Sequence, residues 1–200
     1  MKKKGLTAGE LLVTMTIIGV IAVLVIPGLV NNYHKNLYSS KIKKVYGTFM
    51  SAMERACSDN NVTYFNQTPF VKVDDTASAQ KNFLETYFNL NDDATDYFAA
   101  SYTSLDTAAD DSEISVSPAK IRLSGGEAIS FKCIEAEKCN VIIDINSIDK
   151  PNVAGRDLFS FSIDTTTNSV IIDDKSKCLT SKTGVGCIEK LLDKNWTMDY

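Results

Sequence analysis

The chain begins MKKKGLTAGELLVTMTIIGVIAVLVIPGLV (Met1–Val30), and how this stretch is read decides the rest. Three lysines and a glycine come first. Glu10 stands five residues beyond the glycine, and a charge-free apolar run of 19 residues, Leu11–Leu29, follows it. In a helix rising ~1.5 Å per residue, such a run is about 28 Å long, close to the hydrocarbon thickness of a bilayer. A secretory signal peptide has an apolar region of roughly 7–15 residues and a small-x-small cleavage site after it. This run is longer and ends in Ile26-Pro27-Gly28-Leu29-Val30. A lipoprotein signal needs an early cysteine, and the first here is Cys57. A retained membrane anchor fits best.

Glu10 is the anomaly. A carboxylate on a transmembrane helix costs up to ~3 kcal/mol toward the bilayer centre and calls for a partner. No lysine or arginine lies between Lys4 and Lys35. Cleavage after Gly5 would create a cation, the new α-amine of Leu6. That amine would lie one helical turn from Glu10 of its own chain and within reach of Glu10 on a neighbouring helix. The bland alternative is an interfacial glutamate that reaches headgroup water.

Lys2-Lys3-Lys4-Gly5, Thr7, Glu10-Leu11-Leu12, Ile17-Ile18-Gly19 and Ile26-Pro27 together resemble the class III leader and anchor of type IV pilins and type II secretion pseudopilins. The resemblance covers about the first 45 residues. Leu6 stands where that family usually has phenylalanine or methionine, and Ala8-Gly9 replace bulkier residues. The resemblance implies that a prepilin peptidase cuts between Gly5 and Leu6 and that Leu6 is N-methylated. It also implies that Glu10 and Pro27 serve assembly, and that the partners are other subunits and an inner-membrane assembly platform. The implied location is the bacterial inner membrane, single-pass, with the C-terminal domain on the periplasmic or extracellular side, and then a pilus or pseudopilus.

Composition agrees with an exported, anchored chain. Charged residues are 23% and hydrophobic residues 44%, ordinary for a folded protein. The formal net charge of −4 would become −7 on loss of Lys2, Lys3 and Lys4. An acidic ectodomain lacks the basic stripe of a nucleic-acid-binding surface. The expected division is a leader at 1–5, a transmembrane and assembly helix at 6–30, an amphipathic continuation at 31–60 and a globular α+β domain at 61–200.

The continuation carries Ile42, Val45, Phe49, Ala52, Met53 and Ala56 at helical spacing, and Ser58-Asp59-Asn60-Asn61 reads as the exit. A helix with one apolar stripe must lie on something, most simply the chain's own sheet. Pro27 and Gly28 are expected to kink or locally melt the helix. A short helix is expected over 77–90, with Phe83, Leu84, Tyr87 and Phe88 as core. The acidic stretch 91–113 reads as a solvated loop. Alternation at Ile121, Leu123, Ile129, Phe131 and Cys133 around a two-residue Gly125-Gly126 turn reads as a hairpin. Strands are expected at 140–146, 157–164 and 169–174, the last two joined through Thr165–Asn168. The fold class is therefore α+β, a long N-terminal helix packed on an antiparallel sheet, which is also the pilin-like roll that the resemblance implies.

Five cysteines follow the apolar run: Cys57, Cys133, Cys139, Cys178 and Cys187. Exported domains keep disulfides. Cys133 with Cys139 and Cys178 with Cys187 are the near pairs, and local pairing is the simplest, leaving Cys57 free. The second pair is similar in placement to the C-terminal disulfide loop of many pilins. In the C-terminal segment, Ile188, Leu191 and Leu192 fall on one helical face, and Trp196 and Tyr200 are expected to dock on the domain. Asp144, Asn146, Asp149, Asn152 and Asp157 are spaced as candidate calcium ligands. Ile148 breaks an EF-hand-like pattern, and a wide turn held by Asx side chains, Pro151 and Gly155 is the preferred reading. Major pseudopilins carry a calcium-binding loop near the C-terminus, which keeps the site open as an implication of the resemblance.

Enzyme chemistry finds little support: paired carboxylates abound, but no spacing singles out two for a carboxylate-based hydrolase. The one histidine, His34, follows the apolar run, and there is no second histidine for a Cys-His or Ser-His pair and no phosphate loop. The expected function is a structural subunit of a type IV pilus or type II secretion pseudopilus. The competing expectation is a monomeric, membrane-anchored binding protein with calcium as a candidate ligand.

Overall fold

The structure, a computed structural model, describes residues 5, 7–71, 76–90, 97–106, 114 and 116–200. The chain divides into two compact units, Met1–Leu37 and Tyr38–Tyr200. Helix α1, Ala8–Asp59, contributes to both. It starts two residues later than a helix from Leu6 would and ends within the expected exit. It runs without interruption through Pro27, so the expected melting does not occur.

In the first unit the large apolar side chains from Leu11 to Val30 are all exposed, with Leu24 at 75%. In the second unit the same helix behaves differently. From Tyr38 onward one stripe turns inward, and Ile42, Val45, Phe49, Ala52, Met53 and Ala56 are all buried, as their spacing requires. Five strands form one antiparallel sheet in the order β1-β2-β3-β4-β5: β1 Lys120–Arg122, β2 Ala128–Glu135, β3 Lys138–Asp144, β4 Leu158–Asp164 and β5 Ser169–Ile171. Side chains alternate between the two faces of a strand. One face therefore carries the cross-strand rows Ile129–Ile143–Phe159 and Phe131–Val141–Phe161. This face meets α1: the Phe49 ring lies 5.5 Å from Phe131 and 6.1 Å from Phe161. Helix α2, Thr76–Tyr87, closes the aromatic cluster, with Phe83 5.8 Å from Phe49 and 5.1 Å from Phe65. Truncating a ring like Phe49, which is fully buried, costs ~3–5 kcal/mol.

The β1–β2 connection is a three-residue turn rather than the expected two-residue one. The Gly126 amide donates to the Leu123 carbonyl at 2.9 Å, and Gly126 takes a φ of +90°, which a side chain resists. The acidic stretch is also not wholly a solvated loop. Residues 91–96 and 107–113 lie outside the described residues, but Tyr102 between them is fully buried and forms a second small core with Ala154 and Leu158 on the other face of the sheet. Aromatic burial outweighs the acidic composition around it.

Short contacts close the remaining edges. Gly184 lies flat on β4, where a Cβ would come within 2.4 Å of the Leu158 carbonyl oxygen. Helix α3, Cys187–Asp193, buries Ile188 and Leu191, but Leu192 is 42% exposed, so the expected three-residue face is narrower. Trp196 docks on Tyr46 at 5.3 Å, and Tyr200 lies under the Lys190 ammonium at 4.6 Å. The turn between β4 and β5 holds the exit of α1 through one side chain. Asn168 Oδ1 accepts from the Phe65 amide at 2.8 Å, and Nδ2 donates to the Thr63 carbonyl at 3.0 Å. Asn168→Ala would strip partners from both backbone groups and is expected to lower stability by about 2 kcal/mol, read as a lower urea midpoint for the detergent-solubilised chain.

Candidate functional site

The start of α1 is built by a reciprocal cap. Glu10 Oε2 accepts from the Thr7 amide and from the Thr7 hydroxyl, each at 2.8 Å. The Glu10 amide in turn donates to Thr7 Oγ1 at 3.3 Å. This is a capping box: each residue satisfies a donor that the first helical turn leaves open. The Thr7-x-x-Glu10 spacing before an apolar run is its sequence signal, and a reading that searches only for a cation misses it. Glu10 therefore has a local partner before any cleavage. Oε1 carries no hydrogen bond among the described residues.

Gly5 is exposed and lies outside the helix. Leu6, the expected residue after the cut and the expected site of methylation, lies outside the described residues, as do Lys2, Lys3 and Lys4. Downstream, the hydroxyls of Thr14 and Thr16 donate to the carbonyls of Leu11 and Leu12 at 2.9 and 2.8 Å, so neither needs water. Pro27 has no amide proton and so cannot make the bond to the Val23 carbonyl that another residue would make there. The helix is long and apolar enough to cross a membrane.

The structure joins both near cysteine pairs, Cys133 to Cys139 and Cys178 to Cys187, and leaves Cys57 as a buried thiol. The first bridge links directly opposite residues of β2 and β3, on the face that meets α1. The second closes the segment that carries Gly184 onto β4.

Of the five candidate cation ligands, the side chains of Asp144, Asn146 and Asp157 hold the loop between β3 and β4. Asp144 Oδ1 accepts from the Asn146 amide at 3.0 Å, and its other oxygen accepts from the Tyr102 hydroxyl. The two oxygens of Asp157 accept from the amides of Asn152 and Val153, each at 2.7 Å. Asn146 Nδ2 donates to the Lys150 carbonyl at 3.0 Å, and Asp149 is exposed. Among the described residues no three His, Cys, Asp or Glu side chains are placed to hold a metal ion. Calcium takes about 6–8 oxygen ligands. The four carboxylate oxygens of Asp144 and Asp157 already accept from three backbone amides and the Tyr102 hydroxyl, and the two remaining buried oxygens, Oδ1 of Asn146 and of Asn152, fall short of that number. The arrangement is the wide Asx-held turn.

Burial pushes Asp144 up to about 7 and Asp157 up to about 6, with the charge of Asp157 adding to the effect on Asp144. The fold thus favours the neutral carboxyls. That contribution is fully present below the ordinary value of ~4 and is lost as pH rises through 6 to 7. The thermal midpoint is expected to be several degrees higher at pH 5.5 than at pH 8, and Asp144→Asn should flatten the difference. Scanning calorimetry at the two pH values reads both.

No family model, curated protein or solved structure matches the chain.

Proposed function

We propose that the chain is a structural subunit of a type IV pilus or type II secretion pseudopilus, processed after Gly5 and assembled through α1. The observation that carries the reading is the exposed apolar surface from Leu11 to Leu29, headed by a single acid. Lipid can cover that surface while the chain waits in the membrane, and the same segments of neighbouring subunits can cover it in a filament.

Glu10 is suited to set the register. Thr7 occupies Oε2, so Oε1 remains for the Leu6 amine of an adjacent subunit. A desolvated ion pair of this kind adds little net stability, but a misregistered neighbour leaves a charge unpaired and is rejected. The hydrogen bond missing at Pro27 gives the helix a weak point where it can bend during packing. The buried loop carboxylates have no part in this scheme, and no observation favours a calcium-dependent binding protein over it.

In a host carrying the assembly machinery, Glu10→Ala should leave folding and leader removal intact and abolish or sharply reduce filaments seen by electron microscopy. Normal filaments would remove the role given to Glu10. Replacing Gly5 with leucine should block processing, read by mass spectrometry as a chain that keeps its first five residues.

A further inference from the structure

Three Asn-x-Thr triplets occur, at Asn61-Val62-Thr63, Asn66-Gln67-Thr68 and Asn195-Trp196-Thr197. In an exported chain this triplet is an acceptor signal for N-linked glycan, provided it lies on the surface. We propose that Asn61 is a glycan acceptor, an inference that rests on the export half of the proposed function.

The three sites differ in what they offer. Asn61 is exposed in the turn that ends α1, at a φ of 54°. Its side chain makes no hydrogen bond among the described residues, and neither does the hydroxyl of the exposed Thr63. An acid, Asp59, precedes it by two residues and is also exposed; its Oδ2 accepts from the Tyr87 hydroxyl at 3.0 Å, and its Oδ1 offers a transferase a charged handle beside the acceptor. Asn66 is a poor acceptor: its Oδ1 is buried, Thr68 is 5% exposed, and the Thr68 hydroxyl donates to the Phe65 carbonyl at 2.7 Å. Asn195 is exposed, but its triplet is anchored through Trp196. That ring packs 5.3 Å from Tyr46, and the Trp196 carbonyl accepts from Ser39. A transferase must draw the triplet out as an extended strand. At Asn61 this releases four hydrogen bonds: Asn61 N–H to the Ser58 carbonyl, Val62 N–H to the Cys57 carbonyl, Thr63 N–H to Gln67 Oε1 and Asn168 Nδ2 to the Thr63 carbonyl. At Asn195 it also strips a packed aromatic ring.

The step forms a bond between Asn61 Nδ2 and the anomeric carbon of an oligosaccharide carried on a polyprenyl diphosphate. The bond from that carbon to the diphosphate oxygen breaks, its electron pair leaves with the diphosphate, and the amide proton passes to a base. Nothing is oxidised or reduced.

The test expresses the full chain in a bacterium carrying an asparagine-directed oligosaccharyltransferase and its lipid-linked glycan, and reads intact mass and glycopeptides. The expected result is one glycan on Asn61. It should be lost in Asn61→Gln and Thr63→Val, kept in Thr63→Ser, Asn66→Gln and Asn195→Gln, and reduced in Asp59→Ala. A chain with both disulfides formed but no glycan, or with the glycan only on Asn66 or Asn195, overturns the proposal and leaves export standing. A chain whose cysteines are all reduced overturns both.

Discussion

One helix has to satisfy two different surroundings, and the rest of the structure follows from that. From Leu11 to Leu29 its side chains are apolar on every side and exposed. From Tyr38 to Asp59 only one stripe is apolar, and that stripe is the centre of the globular core. Water is a poor solvent for the first part and a good one for the outer face of the second. Among the described residues only the second part is covered, and in the proposed function lipid or neighbouring subunits cover the first.

The globular unit is organised to hold its part of that helix. Phe49 sits among Phe83, Phe88, Phe131 and Phe161, so the helix, α2 and the central strands share one aromatic cluster. Lys41 of the helix lies 3.7 Å from the carboxylate of Glu127, a residue only 3% exposed, just before β2. Asn168 ties down the helix exit, and the bridge between Cys178 and Cys187 holds Gly184 against β4. Each contact fixes the helix or the sheet it lies on.

Much of this was legible in the sequence because periodicity reports burial directly. Ile42, Val45, Phe49, Ala52, Met53 and Ala56 repeat at helical spacing and are buried, and the alternating strands fall near their expected places. What escaped depends on contacts between distant residues or on local chemistry. Tyr102 hides in an acidic stretch, and only its pairing with Asp144 and Leu158 explains its burial. Leu192 has the right spacing, yet in the last turn of α3 it is 42% exposed while Ile188 and Leu191 are buried. At the candidate site the lone acid is visible, but a neutral threonine is not the partner that a charge argument asks for, so Thr7 escaped. The carboxylates of the β3–β4 loop looked like ligands because spacing cannot tell an oxygen that binds a cation from one that binds backbone amides.

In a filament built from this chain, neighbouring copies are proposed to cover the exposed apolar segment. Leu24, 75% exposed, is the position to probe. With Leu24→Cys in the full chain, a short thiol cross-linker applied to intact filament-producing cells should give a ladder of covalent dimers and higher multimers, absent from cells lacking the assembly machinery. Monomer alone in both strains would contradict the account.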